Sequence, residues 1–579
     1  MNNTPFLSFE FAQADGHIKP HTFCEPEKII TTQLIEEVLP CLRKVEEAVE
    51  QGYYAAGFLT YESAPAFDSA FKVKKGSKMP LLWFAIFTEP KDETLNASGL
   101  YQNSSWKPSV DREQYNGAIH SIKNEIEQGN TYQTNYTIRL QSEFNGDDIA
   151  FFNRLKKAQS SNYCAYVNTG EHTILSASPE LFFHMKDRKL TTRPMKGTVK
   201  RGRTFSEDIE RREWLRNSEK NRAENVMIVD LLRNDLGIIS EPATVKVESL
   251  FDIERYPTVH QMTSTITSTI SEEASIVDVF KALFPCGSIT GAPKIKTMEI
   301  IAELEDEPRE VYCGAIGYIT PDKEAIFNVP IRTVWMEQET GMATYGVGGG
   351  ITWDSTTTGE YNEVVAKAGL LQEERAEFQL LETMLLEKGS IFLLEEHLQR
   401  LSNSASYFGY PDPRESLRND LLELAGEKSS GKWRVRLLFS ETGEWTIECY
   451  PFENTDRLVR PVVLADEPVN SSSPFLFHKT TNRAIYTHFQ KRFPDVFDVL
   501  LWNETGEITE FTNGNIILDI DGKLLTPSVE SGLLAGTFRG QLIEKGIIEE
   551  RTLTKDDLKT ATKAWFINSV REWVVVEFV

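Results

Sequence analysis

The chain has 579 residues, is 40% hydrophobic and 11% aromatic, and carries a formal net charge of −24. That length buries several cores, roughly three to four domain equivalents, and so acidic a field argues against nucleic acid or an anionic membrane as the main partner. Six cysteines without CxxC spacing, no apolar run near 18 residues and no basic start followed by an apolar core in residues 1–20 predict a cytoplasmic chain with reduced thiols, neither secreted nor membrane-spanning.

In chain order, β-rich segments at 53–60, 81–88 and 163–168 are mixed with long helical patterns at 112–128 and 206–236, an α+β reading. The stretch 364–377 reads as a charged helix closing this region. Strands at 378–386 and 390–393 around Lys388-Gly389, then a helix through 397–408, open a new unit. The expected organisation is 1–110, 111–374 and 375–579, with no internal repeat.

Within the first 370 residues several groups carry chemistry. Ser178-Pro179-Glu180-Leu181-Phe182 sets a carboxyl among apolar neighbours, where desolvation raises its pKa and fits it to protonate a leaving hydroxyl. Sixteen residues on, Lys196 sits in Arg193-Pro194-Met195-Lys196-Gly197-Thr198, where Gly197 permits close approach of backbone to a ligand. A helix from Lys220 to Asp235 carries Glu224. Gly346-Val347-Gly348-Gly349-Gly350 reads as an anion cradle, followed by a helix with Glu360, Glu363 and Lys367, the two carboxylates three apart on one face. Mg²⁺ suits such a sparse carboxylate set completed by substrate oxygens and water. Each group alone has an ordinary reading: a solvated lysine, or glutamates on exposed helix faces.

Joined to Phe284-Pro285-Cys286-Gly287-Ser288-Ile289-Thr290-Gly291-Ala292-Pro293-Lys294 and Asn328-Val329-Pro330-Ile331-Arg332-Thr333, these segments resemble the chorismate-utilising enzymes. The resemblance is strong over about 110–370 and looser before, through Gly57-Phe58-Leu59-Thr60-Tyr61-Glu62. It implies layered antiparallel sheets with helices. Chorismate is a dianion, and the resemblance assigns Arg332, Gly348, Gly349 and Gly350 to its carboxylates, with Gln133, His260, Thr290, Gly291 and Lys367 also binding substrate. It assigns Mg²⁺ to Glu224 and Glu363 with Glu360, and makes Glu180 the general acid at the C4 hydroxyl. His260 also reads as a satisfied structural histidine. Gln133 stands where isochorismate synthases carry a basic lysine, and a glutamine cannot deprotonate water. Lys196 separates the aminating branches: the aminodeoxychorismate synthases have Pro-Ile-Lys-Gly-Thr, here with Met195, whereas anthranilate synthases have alanine at that lysine. A neutral amine there attacks C2 of the ring, which requires a pKa well below about 10.4. None of the six cysteines lies in a Gly-x-Cys-x-Gly elbow, so the resemblance implies a separate glutamine amidotransferase that supplies ammonia.

The last 200 residues present Lys479 in Phe477-His478-Lys479-Thr480-Thr481-Asn482-Arg483, and Glu510 thirty-one residues further on. A lysine and a buried carboxylate are two groups that pyridoxal phosphate needs; a hairpin with ordinary charges is the plain alternative. With His397-Leu398-Gln399-Arg400-Leu401, Leu534-Ala535-Gly536-Thr537-Phe538-Arg539 and Phe566-Ile567-Asn568-Ser569, the segment resembles fold-type IV pyridoxal phosphate enzymes, a smaller α/β domain. The resemblance gives Lys479 the cofactor, Glu510 its ring nitrogen, and Arg400 with Thr537 its phosphate. Together the halves imply fused synthesis of 4-aminobenzoate on the route to folate. The alternatives are an anthranilate synthase component I joined to a transaminase, and an inactive chorismate-binding regulatory subunit.

Overall fold

In the computed structural model, residues 4–13, 16–91, 93, 95–453 and 459–579 are described. The chain divides into two units, one of residues 1–200 and 212–375, the other of 201–211 and 376–579.

The first unit is built on two ten-stranded sheets. One runs, in spatial order, Gly291–Ala292, Gln133–Gly146, Met342–Ile351, Thr333–Glu337, His172–Ser178, Tyr163–Asn168, Phe6–Ala12 and Ile18–Cys24, with Tyr101–Asn103 and Lys107–Pro108 also paired to Gln133–Gly146. The other runs Met195–Lys200, Val259–Thr269, Lys189–Arg193, Leu181–Lys186, Ala325–Asn328, Ala315–Ile319, Tyr54–Leu59, Leu82–Phe87 and Lys28–Thr32, with Lys246–Arg255 also paired to Val259–Thr269. Residues before 110 thus supply strands to both sheets.

Period-two alternation points Leu7, Phe9 and Phe11 to one face. There they meet Phe58, Trp83, Ile316 and Tyr318 of the other sheet, with Phe9 and Tyr318 ring centroids 5.4 Å apart, edge to face. Fully burying one such ring stabilises by about 1.5–3 kcal/mol. Ile35–Glu50, Glu219–Ile239 and Ile276–Leu283 cover the second sheet's outer face through a separate apolar cluster. Arg112–Glu127, Asp148–Gln159 and Thr357–Ala368 do the same for the first sheet. The result is four layers, helix, sheet, sheet, helix.

Two elements differ from the sequence reading. The helix expected over 206–236 is two helices, Phe205–Asn217 and Glu219–Ile239, because Ser218 turns extended and its hydroxyl accepts from the Asn221 amide, capping a fresh start. The helix expected over 364–377 ends at Ala368, followed by a short turn Gly369–Leu371. Gly369, a poor helix former, follows Ala368, and Leu370 and Leu371 are buried in the turn it opens.

The second unit has a four-stranded sheet, in order Ser390–Ile391, Leu380–Glu387, Lys432–Phe439 and Trp445–Pro451. Lys388 and Gly389 make the first turn with φ of 51° and 77°, the paired left-handed residues a tight hairpin favours. Helices Leu394–Phe408 and Arg414–Glu427 share its core. An eight-stranded mixed sheet follows: Ile508–Phe511, Asp498–Trp502, Arg460–Leu464, Glu572–Phe578, Lys563–Asn568, Asn515–Ile520, Lys523–Pro527 and Glu549–Arg551. Among the described residues no helix is long and apolar enough to cross a membrane, and all six cysteines are unbridged.

Candidate active sites

In the first unit Lys196 lies near the start of Met195–Lys200, an outer strand of its sheet, where the register shifts between Met195 and Thr198. Gly197 adopts φ +95°, and a β-carbon there would stand 3.0 Å from the Asn221 side chain. Only glycine meets both demands. From the same helix Asn225 donates to the Lys196 carbonyl at 3.4 Å and accepts from Ser264 at 2.6 Å. Helix Glu219–Ile239 therefore fixes the lysine's backbone while presenting Glu224 one turn beyond Lys220.

The glycine run is a strand. Gly348, Gly349 and Gly350 stand opposite Thr137, Tyr136 and Asn135, so the expected cradle is part of a ladder. Missing side chains make the space: a β-carbon on Gly350 would collide with the Gln133 amide and lie 3.1 Å from Lys196 Nζ. One on Gly349 would lie 3.3 Å from Glu363, 3.5 Å from Glu360 and 3.5 Å from Lys367. Gln133 and Lys196 thus face Gly350, and Glu360, Glu363 and Lys367 face its neighbour Gly349 on the other side of the strand, with Lys196 still in electrostatic reach of Lys367 and Glu363. Lys367 Nζ donates to the Gly348 carbonyl and pairs with Glu363, both at 2.6 Å. Arg332 donates to the Lys367 carbonyl at 2.9 Å from a backbone at φ +54°, a conformation uncommon outside glycine.

Glu180 is 2% exposed, and its Oε1 is buried without a partner. Burial raises its pKa to about 7, against a hydrogen bond from Ser288 and the charge of Lys196. The carboxyl is held partly protonated near neutrality. Lys196 is half-buried, and its pKa is lowered first by burial; Glu224 and Glu180 oppose this, Lys367 adds to it and Glu363 opposes it. Both amide atoms of buried Gln133 also lack partners, as expected of a group awaiting a polar ligand.

Glu224 and Glu360 have raised pKa values, first from burial and each in part from Glu363, whereas Glu363 is lowered first by Lys367. Among the described residues no group of three His, Cys, Asp or Glu side chains is arranged as a metal cluster, so Glu224, Glu360 and Glu363 are not gathered into one ready-made three-ligand site. Glu360 and Glu363 do flank Gly349, and carboxylate oxygens are the donors a hard divalent cation takes. The remaining expected residues are mainly in supporting places. Thr290 is fully buried with its hydroxyl on the carbonyls of Cys286 and Gly287. Gly291 packs on the Gln133 strand at φ +142°, and buried His260 stands opposite Val199. Sequence reasoning missed Asn225 and gave Ser288 no role; only their place inside quoted motifs could have marked them.

In the second unit the Lys479 carbonyl accepts from Leu381 at 2.9 Å, tying the lysine to the smaller sheet. Burial lowers its pKa to about 8; the guanidinium groups of Arg400 and Arg483 add, while Glu382 and Glu510 oppose. Glu510, 3% exposed on Ile508–Phe511, accepts from the Tyr486 hydroxyl at 2.8 Å. Burial raises its pKa to about 7, opposed by that hydroxyl, the Leu534 backbone and Lys479. Arg400 forks onto Glu382 at 2.9 and 2.6 Å and reaches the Ala535 carbonyl at 3.3 Å. Glu382 bonds His397 at 2.6 Å, and His397 meets the Thr537 hydroxyl at 3.3 Å. Thr537 opens helix Thr537–Glu544, whose unpaired amides suit an anion. A basic-phase lysine, a buried carboxylate and an anchored arginine beside a helix start fit pyridoxal phosphate. Glu382 and Tyr486 were not visible as site residues in the sequence.

Residues 11–373 match the family described as chorismate binding enzyme. The chain belongs to that family. Residues 379–578 match amino-transferase class IV. Aminodeoxychorismate synthase component 1 of Klebsiella aerogenes is 37% identical over 287 residues, 50% of this chain and 62% of that protein. Anthranilate synthase component 1 of Aquifex aeolicus is 34% identical over 270 residues, 46% of this chain and 54% of that protein. The chain therefore spans less than two thirds of these curated relatives. The solved anthranilate synthase component I of Streptococcus pneumoniae superposes with a TM-score of 0.52 at 24% identity, covering 63% of this chain and 90% of that one, which shows the fold of the chorismate-binding unit.

Proposed function

We propose that the chain makes 4-aminobenzoate in two steps, aminating chorismate in the first unit and releasing pyruvate in the second. The observation that carries this is the Lys196 amine on the open surface of Gly350, in one electrostatic neighbourhood with Glu180 and Glu224.

In the first step the Lys196 amine forms a bond to C2 of chorismate as the C4–O bond breaks, and Glu180, held partly protonated, gives its proton to the departing hydroxyl, which leaves as water. Ammonia then adds at C4 and the C2–N bond breaks, returning Lys196. Arg332 and the Gly348–Gly350 surface hold substrate carboxylate, and Lys367 adds positive charge. Glu224 and Glu363, with Glu360 beside them, would hold Mg²⁺; when bound it neutralises a substrate carboxylate and polarises that end of the ring. Ammonia comes from a separate glutamine amidotransferase, with free ammonium as a substitute. The similarity to both aminodeoxychorismate and anthranilate synthases leaves Lys196 as the residue that favours the former.

In the second step Lys479 takes the C4 proton of 4-amino-4-deoxychorismate, and the C3–O bond breaks to release enolpyruvate, which tautomerises to pyruvate as the ring becomes aromatic. Lys479 would hold pyridoxal phosphate, with Glu510 at its ring nitrogen and Arg400, Thr537 and the helix start at its phosphate. When bound, the cofactor supplies the electron sink.

The test is product identification after incubating the full chain with chorismate, Mg²⁺, pyridoxal phosphate and an ammonium salt. The proposal predicts 4-aminobenzoate and pyruvate. Appearance of 2-aminobenzoate would replace it with the anthranilate reading.

A further inference from the structure

Residues 201–211 belong to the second unit although they follow the Lys196 strand by sequence. Their contacts there are specific. Arg201 and Asp208 form a buried bidentate pair at 2.5 and 2.7 Å, and Asp208 also accepts from the Gly202 amide at 3.0 Å. A β-carbon on Gly202 would strike the Asp208 backbone at 2.2 Å, so the turn closes only around glycine.

This turn holds onto Tyr407. Arg201 donates to the Tyr407 carbonyl at 2.7 Å and lies 4.3 Å over its ring, while the Tyr407 hydroxyl donates to the Gly202 carbonyl at 2.7 Å. The Tyr407 ring in turn packs on His478, centroids 4.2 Å apart, and Ser404 bonds the same imidazole at 2.9 Å. Arg203 completes the contact: its guanidinium, set by Glu207 at 2.8 Å, stands 5.0 Å over Phe477 and donates to the Glu530 carbonyl at 3.2 Å. Phe477 and His478 are the two residues before Lys479.

We propose that residues 201–208 are a strap that positions Lys479, so that the cofactor site of the second unit is completed by chain from within the first half of the sequence. The strap reaches no reacting atom; it fixes the backbone from which the Lys479 amine projects. The cofactor part rests on the pyridoxal phosphate reading above, whereas the positioning part stands on the contacts alone.

Both are tested in the full chain with Arg203→Ala, Arg203→Lys and Tyr407→Phe. Hydrogen exchange of the peptide over 477–481, measured without cofactor, is expected to speed up in Arg203→Ala and Tyr407→Phe and to be partly restored in Arg203→Lys, which keeps a cation over Phe477. Pyridoxal phosphate titration by visible absorbance is expected to weaken about tenfold in Arg203→Ala, with ammonia-dependent chorismate consumption unchanged. Unchanged exchange at 477–481 in both variants would overturn the strap. Faster exchange with unchanged cofactor affinity would overturn its role in positioning the lysine. Should wild-type chain bind no pyridoxal phosphate, the cofactor reading falls, and the exchange arm still decides whether the strap holds Lys479.

Discussion

Lys196 and Lys479 are both half-buried amines with lowered pKa values, and burial is the first cause in each. Their surroundings differ in sign. Glu224, Glu180 and Glu363 surround Lys196 and favour its proton, with Lys367 the cation working against them. Burial brings the Lys479 pKa down to about 8, with Arg400 and Arg483 leading the charges that add to it. The second lysine is thus prepared as a base by the protein alone. The first sits among the carboxylates proposed to take a metal, so its preparation is shared with what binds there.

The largest effects separate the two lysines. Lys479→Ala is expected to abolish the cofactor's visible band and the aromatic product while leaving chorismate consumption intact. Lys196→Ala is expected to cut chorismate amination by roughly 10³-fold or more while the visible band stays. Loss of the visible band in Lys196→Ala, or of chorismate consumption in Lys479→Ala, would break the separation.

Glu180→Gln comes next. Removing the proton donor is expected to slow amination by roughly 10²–10⁴-fold. Its carboxyl has a folded pKa of about 7, above the ordinary 4.5, so the native state binds more protons than the unfolded state between those values. Its contribution to stability is therefore present below about 4.5 and is lost as pH rises through about 7. Thermal melts should accordingly show Glu180→Gln gaining on wild type above pH 7, on the order of 3 kcal/mol, with the gain shrinking towards pH 4.5. A constant difference across that range would remove the buried carboxyl from the account.

The smallest effects sharpen the contrast in charge. In cofactor-free chain, labelling of Lys479 by an amine reagent should rise through about pH 8, and Arg483→Met should move that midpoint upward because a lowering charge is gone. For Lys196 the opposite sign is expected from Glu224→Gln, which removes the first of the carboxylates that raise its pKa. Its labelling midpoint should fall. Equal directions for the two variants would contradict the comparison.

Much of this was legible in the sequence because motif and geometry coincide. Gly197 reads in the sequence as a place where backbone approaches a ligand closely; in the structure it is left-handed, with the Asn221 side chain closest to where a β-carbon would stand. The change in pattern puts a break near 375; the compact units are 1–200 with 212–375 and 201–211 with 376–579. What the sequence hid depends on long-range packing. The segment 201–208 carries no signal of leaving its neighbours, since its contacts lie about 200 and 270 residues away. Glu382 looked like an ordinary strand residue, yet it is 1% exposed and holds both Arg400 and His397. The glycine run reads as an anion cradle in the sequence; although glycines disfavour a strand, pairing with Gln133–Gly146 over its full length makes it one.

The account rests most directly on Lys196 forming a covalent bond to the ring. Mass spectrometry of the full chain incubated with chorismate and Mg²⁺, without ammonia or glutaminase, decides it. The predicted result is a mass gain of one chorismate less one water on the peptide containing Lys196, discharged when ammonium is added. Chorismate amination at an undiminished rate by Lys196→Ala, with no lysine modified in wild type, would contradict it.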